Sequence, residues 1–377
     1  MEMRRALWIF AFLTLAMAIA DRLLFVLFPN YLLEKGFSAT EIGAVFSAAA
    51  LVLVISRFLI GKISDIHGRK KILSFGLLLQ SAAIALFPFL ARIWEFAIVK
   101  SVKEFGDTLH GSVEDAIVAD TFPKKIRART LSKLGTAFPI GRALGALIGI
   151  AVTTWLTVAQ GFLVAAAFVF AALIIFALGF KSRETTHYRG LKFSLKNYSK
   201  RFKAIAVVGL LASISFGAAY FPGFFMLAKN LGISESMLFG LLLAGYVVSS
   251  ALAWHSGRWI DRVGRGNVVV ISSLMFSLFT AAYALAASFL AFTIIVLGIT
   301  ASFYIWRIAF KTVLMDSTVR RLRGEQIGFN KMLTGIGDMI GPLIGGLLID
   351  FVSLPVAFGV AGAFGLAAAA FSALAAR

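Results

Sequence analysis

Ahead of Asp120 at its cytoplasmic end, the stretch "KSVKEFGDTLHGSVEDAIVAD" at 100 to 120 carries seven ionisable residues, Lys100, Lys103, Glu104, Asp107, His110, Glu114 and Asp115. On a helix of 3.6 residues per turn they fall within an arc of roughly 140°, one polar stripe. Carboxylates, amines and an imidazole at this spacing can load protons or hold a charged solute. They can also neutralise one another as (i, i+4) pairs, Lys100 with Glu104 and Lys103 with Asp107. A second island of charge, Asp21-Arg22, interrupts "LTLAMAIADRLLFVLFPNYLL" at 13 to 33. Arg4 and Arg5 before an apolar run, with Ala18-Ile19-Ala20 behind it, look like an export signal. The apolar character resumes at Leu23 and runs to Leu33, so one long span with both charges inside the membrane is expected. Asp21 is then a candidate proton carrier, and Arg22 a residue that orients it or binds an anion.

The elements that position these groups are set by composition: 60% of the 377 residues are hydrophobic and the mean hydropathy is +0.90. Apolar runs recur to the end of the chain, which marks a polytopic membrane protein. Segments long enough to span predict helices at 6-33, 39-60, 72-91, 94-120, 127-154, 158-180, 204-229, 235-256, 267-287, 290-317, 325-350 and 353-376. The long polar stretch 181-203 is a natural cytoplasmic linker between residues 1-180 and 204-377. Cysteine is absent, which excludes disulfides, thiolate metal sites and a Cys nucleophile. The net charge of +19 could suggest nucleic acid, but its distribution argues otherwise. Lys and Arg crowd the N-terminus and alternate loops, while the opposite loops hold only Lys35, Arg92 and Lys229. That bias predicts a multi-pass cell-membrane protein with both termini cytoplasmic, and no nucleic-acid partner.

An internal repeat is the most informative pattern. "GKISDIHGR" at 61 to 69 returns as "GRWIDRVGR" at 257 to 265, an offset of 196 residues. The same offset carries Gly36 onto Gly232, Asp120 onto Asp316, and Gly141, Gly145 and Gly149 onto Gly337, Gly341 and Gly345. Two copies of one six-helix unit are expected, in the same membrane orientation because six is even.

With these motifs the chain resembles the major facilitator superfamily over nearly its whole length. That family's loop signature, Gly-x-x-x-Asp-x-x-Gly-Arg-Lys, is matched by Gly61, Asp65, Gly68, Arg69 and Lys70, and again by Gly257, Asp261, Gly264 and Arg265. The resemblance implies an all-α fold of twelve transmembrane helices in two pseudo-twofold-related bundles, with these loops stabilising the closed cytoplasmic face. Drug-proton antiporters of the superfamily carry Gly-x-x-x-Gly-Pro-x-x-Gly-Gly in helix five. Here helix five keeps only the glycine spacing, with Ala146 for the proline and Arg142 inserted. The full pattern appears in helix eleven as Gly337, Gly341, Pro342, Gly345 and Gly346. Helix packing is the expected role of all of them. In helix four, Lys100 takes the place of the antiporters' Arg and Glu104 that of their Gly, a departure in chemistry.

The resemblance also implies that helices one, four, seven and ten line a central cavity. It points the stripe inward and makes Asp21, Glu104, Asp107, Glu114 and Asp338 the candidates for proton coupling. Arg22, Lys100, Lys103, His110, Asp115, Arg142, Tyr220, Arg307 and Lys311 are candidates for the substrate cavity. Arg307 and Lys311 lie level with Gly111 and Asp115 by the repeat and could meet Glu114 and Asp115 across a cavity, and Arg142 maps onto Asp338 with opposite sign. Each pairing is either a substrate contact or a structural ion pair. The expected function is proton-gradient-driven transport of a small solute by alternating access, possible substrates including drug-like or amphipathic compounds. The alternatives are an uncoupled or sodium-coupled carrier, or a non-transporting sensor. No nucleotide-binding loop, metal cluster or Ser/His arrangement points to an enzyme. The expected partners are the lipid bilayer, protons and a small molecule, with the protein a monomer and no cofactor.

Overall fold

In a computed structural model of the chain, the structure describes residues 2–121, 124–180, 198–319 and 323–376. Within these, the side chains at 2–3, 57–67, 111–113, 115–116, 119–120, 124–133, 253–258, 323–324 and 375–376 lie outside the description. The protein is an all-α membrane protein. Among the described residues there are twelve long helices: α1 Glu2–Glu34, α2 Ala39–His67, α3 Arg69–Leu86, α4 Ile93–Thr121, α5 Lys124–Trp155 and α6 Val158–Gly179, followed by α7 Lys200–Asn230, α8 Glu235–Val263, α9 Arg265–Ala282, α10 Phe289–Asp316, α11 Arg323–Phe351 and α12 Leu354–Ala376. Each expected span finds its helix. Several run further at the polar ends, because a helix satisfies its own backbone groups beyond the hydrocarbon as well as within it.

Eleven of these helices are long and apolar enough to cross a membrane. The other is α4, whose charges dilute its hydropathy without shortening it. α7 is continuous except at Phe221, whose backbone is extended (φ −121°, ψ 100°) ahead of Pro222, and the chain kinks there.

The repeat is visible in the backbone. Among the described residues, positive φ occurs at Gly36, Gly68, Gly232 and Gly264, two pairs separated by the 196-residue offset. Gly68 (φ 86°) and Gly264 (φ 92°) turn the chain between α2 and α3 and between α8 and α9, a conformation only glycine adopts cheaply. Ser81 Oγ donates to Ala166 O, tying α3 to α6, and its repeat mate Ser277 ties α9 to α12 by donating to Gly362 O.

The contacts divide the chain into two compact units. The first holds α1 through Leu32, α2 from Val52, α3 to α6, and the start of α8, Glu235–Leu243. The second holds the start of α2, α7, the rest of α8, and α9 to α12. Within the first, Thr153 of α5 and Ser236 of α8 share a hydroxyl hydrogen bond of 3.1 Å. Within the second, Asp350 of α11 caps the start of α2, accepting from Ala39 N at 3.1 Å and Thr40 N at 2.7 Å. Tyr198, ahead of α7, donates to Glu325 of α11 at 2.8 Å, and burial together with that carboxylate pushes its phenol up to about 12.

Candidate functional site

The charged stripe of α4 faces away from α3. A Cβ on Gly106 would come within 2.7 Å of Gly76 O, and one on Gly76 within 2.8 Å of Gly106 O, so the two helices cross backbone to backbone. Leu109, 2% exposed, completes that buried face. The stripe is then left to meet α1 and α5, and the close approach of those two helices sets its geometry. A Cβ on Gly141 would lie 2.6 Å from Leu15 O, and one on Gly145 2.9 Å from Ile19 O. Arg142 sits between these glycines, and the close packing of α5 on α1 brings its Nη2 to 2.6 Å from Asp21 Oδ2.

Most charges of the first unit are committed. Glu104 Oε1 accepts from Lys100 at 3.1 Å and from Lys103 at 3.3 Å, all three side chains being at most 16% exposed. Lys103 therefore bonds Glu104 and not the expected Asp107, because a long amine reaches its immediate neighbour as readily as the next turn. His110 Nε2 lies 3.0 Å from Glu114 Oε2, and Thr14 Oγ1 of α1 donates to Glu114 Oε1 at 3.2 Å. The cations also lean on aromatic faces: Lys100 on Phe28 at 5.1 Å, Arg22 on Phe25 at 4.9 Å, and Arg142 on Phe138 at 4.5 Å. Asp107 is the exception. Half-buried in the middle of the stripe, it makes no ion pair or hydrogen bond among the described residues.

In the second unit, the stretch of α10 equivalent to the stripe, with the end of α7, carries stacked rings. Phe216 stacks on Tyr220 at 4.3 Å, Tyr220 on Phe224 at 5.1 Å and Phe216 on Phe303 at 5.7 Å. On α10, Phe303 stacks on Trp306 at 5.7 Å, and Trp306 on Phe310 at 4.6 Å. Tyr220 is buried within this group; Arg307 and Lys311 are exposed beside it, the Arg307 guanidinium 5.8 Å from the Tyr304 ring. Asp338 is exposed on α11.

The glycine run of α11 packs on α7. A Cβ on Gly337 would lie 2.6 Å from Leu210 O, one on Gly341 2.7 Å from Ile214 O, and Gly345 faces the Ala218 carbonyl. Pro342 lies against Gly43 and Gly217, while the ring of Phe239 covers Gly149. In the second loop motif Arg265 reaches Asp261 at 3.4 Å and Asp316 at 2.9 Å, latching the start of α9 to the end of α10. In the first, Arg69 and Lys70 are half-buried. The side chains of Gly61, Asp65, Asp115 and Gly257 lie outside the described residues.

Sequence reasoning missed Thr14, Phe303 and Phe310. Carrying each stripe position forward by the repeat offset finds the two aromatics, since Asp107, His110 and Glu114 map onto Phe303, Trp306 and Phe310. Nothing in the sequence singles out Thr14.

The Major Facilitator Superfamily model matches residues 10–253 and again 205–377. The chain belongs to the Major Facilitator Superfamily and is a transporter of that family, not an enzyme. It is 27% identical to Multidrug resistance protein 1 of Bacillus subtilis (strain 168), over 88% of this chain and 89% of that one. Multidrug resistance protein MdtG of Escherichia fergusonii is 26% identical, over 90% and 85% respectively. The crystal structure of the nucleoside transporter NupG superposes with a TM-score of 0.77 at 14% identity, covering 96% of this chain and 98% of that one, a likeness of fold.

Proposed function

We propose that the protein is a proton-coupled secondary transporter that exports amphipathic compounds by alternating access, with Asp107 as the carboxylate that loads and releases the coupling proton. The observation that carries this reading is that Asp107, alone among the carboxylates Asp21, Glu104, Asp107 and Glu114, makes no ion pair or hydrogen bond among the described residues. Asp21, Glu104 and Glu114 each have a cationic or imidazole partner within 3.3 Å, whereas Asp107 has none among the described residues. A carboxylate fixed by an ion pair gives up that pair each time it protonates, while an unpartnered one within a membrane span is free to exchange. Asp21 bonds Arg142 at 2.6 Å, so it takes up a proton only when that pair opens. The names of the curated relatives favour drug-like cargo, and the loop charge bias favours cytoplasmic termini on a monomeric cell-membrane protein.

The experiment is transport of fluorescent amphipathic probes by the purified protein in proteoliposomes. Probe movement should follow an imposed pH gradient, collapse with a protonophore and ignore sodium. Movement that follows sodium or the probe gradient alone would replace proton coupling with the corresponding alternative. Binding without movement would make the protein a sensor.

A further inference from the structure

α10 carries two cations, Arg307 and Lys311, one turn apart on one face, both exposed and neither in an ion pair among the described residues. Their distance from the helix end at Asp316 is about 13 Å for Arg307 and about 7 Å for Lys311 at 1.5 Å per residue. Two cations one turn apart within a span are costly against hydrocarbon, which favours water on the face that Arg307 shares with Lys311 and Tyr304. Arg307 offers a planar fork of donors suited to a carboxylate or sulfonate. The half-buried ring of Tyr304 lies 5.8 Å from its guanidinium, and Phe303 and Trp306 continue an aromatic surface along the helix.

We propose that Arg307 and Lys311 bind the anionic group of the transported compound and that Tyr304 contacts its apolar part, which makes the substrate an amphipathic organic anion. This rests on the transport reading above and specifies its substrate class. The charge economy of the first unit supports it: Lys100, Lys103 and Arg142 have carboxylate partners there, and the two cations of α10 have none among the described residues.

The test uses three probes of one shape, anthracene-9-carboxylate, 9-(aminomethyl)anthracene and neutral 9-anthracenemethanol. They are titrated by fluorescence against the full chain in phosphatidylcholine nanodiscs. The anion should bind about tenfold or more tighter than the other two, the strength of a charge-assisted bond. Arg307→Gln with Lys311→Gln should erase that preference and leave the neutral probe unchanged, while the charge-keeping exchange Arg307→Lys with Lys311→Arg retains most of it. Retention of the neutral probe and of a monodisperse elution profile shows that the double Gln variant is folded. Equal affinity for the three probes, or an anion preference that survives the double Gln variant, overturns the assignment. So does displacement of the anion by phosphatidylglycerol in the nanodisc, which would make the site one for lipid phosphate. Proteoliposome uptake of the aminomethyl probe in preference to the carboxylate also overturns it and leaves the transport reading standing. Tight anion binding without uptake supports the site and counts against transport.

Discussion

α4 and α10 occupy equivalent places in a duplicated chain, yet the charged positions of the α4 stripe are uncharged in α10, three of them aromatic, except that Asp115 maps onto Lys311. Lys100, Lys103 and Glu104 map onto Val296, Ile299 and Thr300; Asp107, His110 and Glu114 map onto Phe303, Trp306 and Phe310. The packing faces did not diverge in this way. Gly76 and Gly106, where α3 crosses α4, correspond to Ser272 and Ser302, small residues whose hydroxyls bond within their own helices. A duplicated scaffold can keep its helix crossings while the opposite face of one copy turns to ionic chemistry and the other to aromatic chemistry. The divergence also has an energetic consequence, because buried charges depend on their partners and stacked rings do not.

The largest effect should come from removing the shared partner of two buried cations. Glu104→Leu leaves Lys100 and Lys103 uncompensated and should lower stability by about 3–5 kcal/mol. The same change at the repeat mate, Thr300→Leu, should cost less than about 1 kcal/mol, since Thr300 Oγ1 bonds only the Val296 carbonyl of its own helix. Thermal unfolding in detergent measures both, and equal losses would erase the contrast between the two helices. Next come the shared crossings. Gly141→Ala and Gly337→Ala each press a methyl group against a carbonyl 2.6 Å away and should cost about 1–3 kcal/mol apiece, matched to within about 1 kcal/mol. A large disparity between them would show that the scaffold diverged along with the site. The smallest pair is Ser81→Ala and Ser277→Ala. Each removes one bond between helices and should cost about 0.6 kcal/mol.

The fold was legible because its signals are local and doubled. Gly68 and Gly264 mark the same turn twice, and every helix but α4 announces itself by hydropathy. α4 was legible through its exception, a charged stripe too narrow in arc for a solvated helix. The partners within the stripe were not legible. Sequence spacing offered Asp107 to Lys103, but Glu104 lies within reach of both lysines and takes them both. Nor did spacing join Asp21 to Arg142, a hydrogen bond across 121 positions that depends on how closely α5 approaches α1. The repeat had set Arg142 opposite Asp338, because symmetry reports equivalent places and does not report contacts.

The central claim is a division of labour, with an exchangeable carboxylate on α4 and an anion-holding face on α10. Its most direct measurement pairs two fluxes of anthracene-9-carboxylate in the same proteoliposomes: uptake driven by a pH gradient, and exchange against internal unlabelled compound with no gradient. Asp107→Asn should abolish the first and preserve the second. Arg307→Gln with Lys311→Gln should lower both together, because a compound that is not held is neither driven nor exchanged. Gradient-driven uptake at the wild-type level in Asp107→Asn would contradict the account.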